Sequence, residues 1–447
     1  MLQHLADRRM AKESVNMATR KACIILSIGT MLTGTGQPIL GSPPVANSFT
    51  LANGIRATCV YIADSKNVSI FSFFPMGPAC DGPGQAQWSH LVEHLVIRTG
   101  KSLSYKQANA ETLPDHLRLD FYGSVENWQQ GLDHHLRWIR GEAFTQEVLQ
   151  AQKNHVNAEC DIVAQRLATH KFAMAAWAQC YRHGRNHAAL KGDVDKVTLS
   201  EVQKYRDAHL AVLDRLLICV VGGVDVDTLK PIMTEKFAAI ESEAKTPAPV
   251  ELHPGHHEVT WDLNARHLVL TWPIPDFNKR HYSGLMATGH LLTVKFFSEP
   301  KLKKLAGMVF AGADLMTPEG SFFYISASVR PEASFENVCK RLQEQLAPLR
   351  SGSANPMEVT MIGQQLCYQL TKLTDPAAVM AQAPANMTEA MVEANIGLQR
   401  GMHDFRYGRH RSSLGKSLAT VTAEQVRHVV RQYLRANKCS TCAIRPK

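Results

Sequence analysis

Apolar and polar positions along the chain fall into two successive blocks with the same grammar. NSFTLANGIRATCVYIA (47–63) and NVSIFSFFPMG (67–77) read as strands, with a turn at Asn53-Gly54. A helix holding the segment QWSHLVEHLVIRT (87–99) follows, then a strand LRLDFYGSV (117–125) and an amphipathic helix 127–140. A longer helix is predicted over 145–169, with apolar residues at Val148, Leu149, Val156, Ile162 and Val163. Helix 200–209, the buried strand RLLICVVGGV and two further helical turns close the block. Gly222-Gly223 ends that strand; no G-x-x-x-x-G-K accompanies it, so it is a turn and not a phosphate loop.

Prolines, histidines and charges then interrupt the pattern in SEAKTPAPVELHPGHHE, and the order starts again. HLVLTWPIP is a strand, 282–297 a helix and GSFFYISASVR a strand; 335–349 and 423–434 are helices, and CSTCAIRP is a last strand. Two halves of about 200 residues, each one sheet with covering helices, predict an α+β duplication. The domain reading is a leader over 1–46, a first domain over 47–241, a linker over 242–258 and a second domain over 259–447.

Composition narrows the classes. Of 447 residues, 45% are hydrophobic and 20% charged, a globular balance able to bury a core. The net charge of +9 is spread thinly and no compact Lys/Arg run occurs, so no nucleic-acid partner is expected. The ten cysteines stand singly except Cys439 and Cys442, which have no second pair for a zinc ribbon and no following helix for redox chemistry. From Met17 the chain reads MATRKACIILSIGTMLTG, a basic start and a short apolar stretch, then GSPPVANS. That is the pattern of a secretory signal peptide, so a periplasmic or secreted location is expected, with an organelle-targeting peptide as the alternative. No later stretch reaches the roughly 18 apolar residues of a membrane span.

The chemistry lies in His90-Leu-Val-Glu-His94. On a helix, residues i and i+4 stand one above the other, so His90 and His94 can present two imidazoles to one ion. Zinc held by nitrogen and carboxylate oxygen, with one position left to water, is a catalytic arrangement, and bound zinc lowers the pKa of that water towards 7. Glu93, beside a ligand, is placed to act as general base and then acid. H-x-x-E-H is the inverted order of the commoner H-E-x-x-H motif. The doubled His134-His135 and the His253, His256 and His257 group read as solvated and not as a second metal patch.

The flanks carry a resemblance. LANGIRATCVYI, GPACDGPGQAQWSHLVEHLVIRTG, KNHVNAECDIV and GDVDKVTLSEVQKYRDAHL…ICVVGGVDVDTL are similar to the insulinase–pitrilysin metallopeptidases, the inverzincins, and the second half is similar more loosely. The resemblance implies two homologous insulinase-type domains enclosing a peptide chamber. It implies one zinc per chain, held by His90, His94 and a glutamate on a later helix. Within KNHVNAE the family pattern places that ligand at Glu159, with Glu142 and Glu147 as alternatives. His155, one helical turn before Glu159, reads as supporting or merely polar.

Three departures from that family stand out. Only 64 residues separate His94 from Glu159, and the shortening falls in KSLSYKQANAET, of which Asn109–Thr112 resembles the start of the family's substrate-pairing edge strand. A supporting glutamate seven residues before the third ligand is Gln152 here. An Arg and a Tyr that reach the substrate from the family's second half are replaced by Pro300 and Gly307. The expectation is a zinc endopeptidase acting on extended peptides or unfolded segments. Its partner would be a homologous zinc-free subunit carrying the Arg/Tyr pair, or a second copy of this chain. The alternative is a non-catalytic peptide-binding or scaffold subunit of the same fold.

Overall fold

The computed structural model describes residues 45–446 apart from 78–79, 83, 99–102, 105–106, 114–115, 165–192, 242–254, 262–264, 275–278, 315–320, 373–386 and 409–410. The expected leader therefore lies almost wholly outside the described residues.

In the first half, β1 (Val45–Thr50) and β2 (Arg56–Tyr61) form the hairpin that the Asn53-Gly54 turn predicts, with Thr50 opposite Arg56. They join β3 (Asn67–Phe74), β4 (Ala108–Thr112), β5 (Leu117–Ser124) and β6 (Leu217–Gly222) in a sheet ordered β1-β2-β6-β3-β5-β4. The second sheet holds β7 (His256–Trp261), β8 (Arg266–Ile274), β9 (Ala306–Asp314), β10 (Ser321–Val329) and β11 (Ser440–Pro446), ordered β7-β11-β8-β10-β9. From β2 onward the two orders coincide: one parallel pair (β2–β6, β7–β11), then three antiparallel pairs. The duplication predicted from the pattern is present strand for strand.

Alternation along β3 explains the layers. Val68, Ile70 and Phe74 point into a core with Leu91, Leu95, Leu132 and Phe237. These come from the helices α1 (Trp88–Arg98), α2 (Trp128–Arg140) and α5 (Val226–Phe237); α3 (Gln146–Ala164) and α4 (Leu199–Leu210) add Leu149, Val156, Val202 and Tyr205. Phe71 and Phe73 face the other way, and a helix from the second half covers them. In the second half, α6 (Lys279–Ser298), α7 (Pro300–Leu305), α8 (Phe335–Glu344), α9 (Leu346–Ser351) and α10 (Pro356–Lys372) precede that helix, α11 (Glu389–Tyr407). Val392 and Ile396 of α11 pack on Val60, Phe71, Phe73, Cys219 and Val221 of the first sheet. Close approach depends on glycines: a Cβ on Gly397 would lie 2.3 Å from Val221 Cγ1, and one on Gly401 would lie 2.5 Å from Phe73. Thr58 donates to the Asp404 carboxylate at 2.9 Å, and Arg56 to the Asp404 carbonyl at 3.0 Å. α12 (Arg411–Ala419) and α13 (Ala423–Gln432) return to the second core, where Leu418, Val426 and Val429 meet Leu285, Leu292 and Trp272.

Some boundaries differ from the pattern. The helix predicted over 335–349 is split at Gln345, because Pro348 has no N–H to continue the ladder. The two short turns expected after Val224 form one helix, α5, started by the Asp225 carboxylate accepting from Thr228 N–H at 2.8 Å. Residues 256–258, read as linker, already belong to β7, where His256 pairs with Thr441 of β11. β7, β9, α7, α10, α11 and α12 were not predicted as elements. The end of the predicted helix 145–169 lies outside the described residues beyond Ala164. Among the described residues no helix is long and apolar enough to cross a membrane.

Candidate metal centre

Helix α1 buries Leu91, Val92, Leu95 and Val96 and turns the strip of His90, Glu93 and His94 away from the core. Its start carries no capping residue beside Trp88. The cap comes instead from the preceding Gly/Pro-rich loop, where the fully buried Asp81 carboxylate accepts from Ser89 N–H (3.1 Å), Ser89 Oγ (3.2 Å) and the Tyr205 hydroxyl (2.6 Å). Burial pushes the Asp81 carboxyl up to about 7, against the pull of these hydrogen bonds and of the Gln87 N–H.

On this foundation the two rings stand 4.9 Å apart at 78°. Their Nε2 atoms converge on one carboxylate oxygen of α3: His90 lies 3.4 Å and His94 3.6 Å from Glu159 Oε2. α3 fixes that oxygen by burying Leu149, Gln152, Val156 and Cys160 on one stripe, which leaves Glu159 on the flank facing α1. In a tetrahedral zinc site with bonds of about 2.0–2.1 Å, neighbouring donors sit about 3.3–3.4 Å apart. The donor set and its spacing fit zinc. Burial raises the Glu159 carboxyl, but the two imidazoles outweigh it and hold it well below the usual carboxylate range; its 49% exposure lets water temper that pull. Burial lowers the His94 ring, yet Glu159 and Glu93 shift it upward on balance.

Each ring is also held from behind. His90 Nδ1 lies 3.0 Å from Gln87 Oε1, and His94 Nδ1 lies 3.1 Å from Gln152 Oε1. Glu93 faces the same space: one ligand atom each of His90, Glu93 and His94 lie within 4.8 Å of one another. Two carboxylates thus compete for the role of third ligand. Glu159 fits it, since its Oε2 contacts both Nε2 atoms, whereas Glu93 Oε2 is engaged by the Thr112 hydroxyl at 2.6 Å. Of the alternatives, Glu142 sits in the turn before α3, its carbonyl bound by Arg206, and Glu147 is in the first turn of α3, about 18 Å along the helix from Glu159.

Thr112 belongs to β4, the edge of the first sheet. Tyr122 N–H bonds the Gln107 carbonyl, and Leu113 exchanges hydrogen bonds with His116. The antiparallel alternation therefore points the N–H and C=O of Ala110 and Thr112 away from the sheet, on the strand whose Thr112 hydroxyl reaches Glu93. Arg118 pins this edge, reaching Asp120 at 2.7 Å and Glu111 at 3.0 Å.

The remaining candidates stay apart. His155 is exposed on α3. His135, expected to be solvated, is instead buried against Ser72 Oγ at 2.6 Å, and burial drops its ring to about 3. His134 contacts Arg137, His256 contacts Thr441, and His253 lies outside the described residues. Among the described residues, no further trio of His, Cys, Asp or Glu outside His90, Glu93, His94 and Glu159 is grouped closely enough to hold an ion. Sequence reasoning missed Asp81, Gln87, Tyr205 and the bond from Thr112. The missing cap before Trp88 was the one available signal, since an uncapped buried helix start must find its partner elsewhere.

Comparison with solved structures matches this architecture along nearly its whole length. A protease from Helicobacter pylori superposes with a TM-score of 0.71 at 16% identity, over 91% of this chain and 100% of the other. A peptidase M16 inactive domain from Pseudomonas fluorescens gives 0.68 at 16%, over 90% and 98%. The fold is that of the M16 peptidases. Residues 196–366 also match the family model described as the peptidase M16 inactive domain. A search of curated proteins found no match.

The M16 match starts beyond Glu159, so it contains none of His90, Glu93, His94 and Glu159 and describes mostly the second half. There Pro300 is the first residue of α7 and Gly307 lies on the edge strand β9. Neither side chain can donate a hydrogen bond.

Proposed function

We propose that the protein is a zinc endopeptidase of the M16 type, cutting extended peptides or unfolded segments. One observation carries this reading: two imidazole nitrogens of one helix converge on a single carboxylate oxygen of another, with a second carboxylate, Glu93, alongside. His90, His94 and Glu159 would hold the ion. Zinc bound there supplies Lewis acidity, which makes water a competent nucleophile at neutral pH.

The chain's own groups do the rest. The outward N–H and C=O groups of Ala110 and Thr112 pair with an extended peptide backbone, as a strand added to the edge of the sheet. This pairing sets the scissile bond beside the histidine pair. Glu93 takes the proton of the attacking water and returns it to the leaving amine. The Thr112 hydroxyl, donating to Glu93 Oε2 at 2.6 Å, fixes the carboxylate for that task. The test is Glu93→Gln: peptide cleavage should fall about 10²- to 10⁴-fold with zinc content unchanged, because the base is not a ligand. Zinc lost in proportion to activity would put Glu93 into the ligand set.

Pro300 and Gly307 support a further feature of this reading. The groups that grip the peptide opposite the zinc come from a second, homologous subunit that carries the Arg/Tyr pair and lacks the zinc motif. The same two residues favour the second reading, a peptide-binding subunit without catalysis. Zinc content of the purified chain separates them.

A further inference from the structure

We propose that Gln87 and Gln152 are a matched pair of positioning residues that fix both metal-facing imidazoles in one tautomer, Gln87 from a left-handed backbone. This rests on the reading of His90 and His94 as ligands. A neutral imidazole has one N–H and one lone pair, and a metal takes the lone pair of the nitrogen that faces it. Here Nε2 of both rings faces Glu159, so Nδ1 must carry the hydrogen and needs an acceptor. In both cases the acceptor is a carboxamide oxygen, at 3.0 Å from Gln87 and 3.1 Å from Gln152. Both glutamines are buried, at 0% and 7% exposure, so water cannot take their place.

The two acceptors are held differently. Gln152 sits on the buried stripe of α3, in ordinary helical backbone. Gln87 has φ +68°, a conformation that glycine adopts freely and L side chains rarely do. It is kept there from one side by its own N–H bonding to Asp81, which also binds Ser89 and Tyr205. That turn places Gln87 one residue before α1, with its amide on the ring three residues ahead. A side chain retained where glycine would be less strained is the mark of a local constraint imposed by function. Both acceptors being neutral, neither lends the imidazoles the charge that a carboxylate would.

The experiment measures zinc affinity by chelator competition and thermal unfolding in parallel, for the full chain and its variants. Gln87→Gly should weaken zinc about 10- to 100-fold while the unfolding temperature holds or rises, because the acceptor is lost and the backbone relaxes. Gln87→Ala should lose both affinity and stability, since the strain stays. Gln152→Ala should weaken zinc to a similar degree, and Gln87→Glu and Gln152→Glu should keep or tighten it. In the zinc-loaded protein with ¹⁵N-labelled histidine, the His90 Nδ1–H signal should persist against water exchange and vanish in Gln87→Gly. Wild-type zinc binding with Gln87→Gly unchanged in both affinity and Nδ1–H signal overturns the pair and leaves the peptidase reading intact. A wild-type chain that binds no zinc overturns both.

Discussion

The two halves share strand order and strand sense, yet they treat the helix and edge strand at the site position in opposite ways. In the first half α1 and β4 meet through side chains, Glu93 with Thr112, and the backbone of Ala110 and Thr112 points outward from the edge. In the second half the counterparts α6 and β9 meet backbone against backbone: a Cβ on Gly289 would lie 3.0 Å from Gly312 Cα. The Thr293 hydroxyl accepts from Ala311 N–H at 2.9 Å and donates to the Ala311 carbonyl at 3.2 Å. Those backbone groups are thereby occupied by the helix and cannot pair with an incoming strand. Among the described residues one topology thus yields an edge that carries site side chains or, at Ala311, one whose backbone is taken up by its own helix, according to the residues at a few facing positions.

The largest break in that comparison should come from the residues proposed to hold zinc in the first half. His94→Ala or Glu159→Gln should strip zinc and abolish peptide cleavage, since three protein ligands leave no spare; metal analysis and a quenched-fluorescent peptide read both. Full zinc in Glu159→Gln would move the third ligand to Glu93, the other carboxylate within reach of both histidines. Next in size is what the second half lacks. Each transition-state donor is worth about 3 kcal/mol, so adding a homologous subunit with the Arg/Tyr pair should raise turnover at least about 10²-fold. High turnover by the chain alone, unaltered by any partner, would end the two-subunit idea.

Two threonines sharpen the contrast. Thr293→Val should cost about 1–3 kcal/mol of stability in urea unfolding and leave zinc binding alone, because it orphans the Ala311 groups. Thr112→Val should leave stability within about 1 kcal/mol yet slow cleavage about tenfold or more, by freeing the base. The reverse outcome would erase the distinction between a working edge and a structural one. The smallest effect, per pH unit, concerns Asp81. Its carboxyl sits near 7 in the fold, above the ordinary value of about 3.9. Its protonated form therefore favours the native state, a contribution full below about pH 4 and lost as pH rises through 7. The slope is at most about 1.4 kcal/mol per unit. Asp81→Asn should flatten the urea midpoint between pH 4 and 7 relative to wild type; an identical profile would assign the slope elsewhere.

Much of this was legible in the residues because periodicity records burial. β3, β5 and β6 announce themselves as apolar runs between turn signals, and β6 reads LICVVG because both its faces are covered. The histidine pair was legible because the helical repeat alone brings i and i+4 together. β9 was not, since AGMVFAGAD has glycines where a strand normally shows branched side chains, and one of them, Gly312, serves the close contact with α6. Gln87 and Asp81 were invisible for another reason. Their importance lies in a backbone angle and in partners from another element, Tyr205 among them, and neither leaves a spacing in the sequence.

The passage of α11 across the first sheet has a consequence for how the molecule is made. The last strand of that sheet, β6, leaves the ribosome well before α11, and at about 5–20 residues per second the interval is roughly ten to thirty seconds. Until then Phe71, Phe73 and Val221 lack the cover that, among the described residues, α11 supplies through its notch at Gly397 and Gly401. The half that bears the histidines cannot mature as a free module during synthesis. A nascent chain halted between the halves would present a sticky sheet face to chaperones or to its neighbours on a polysome. Joining the two halves in one polypeptide ensures that the cover arrives at its own sheet first.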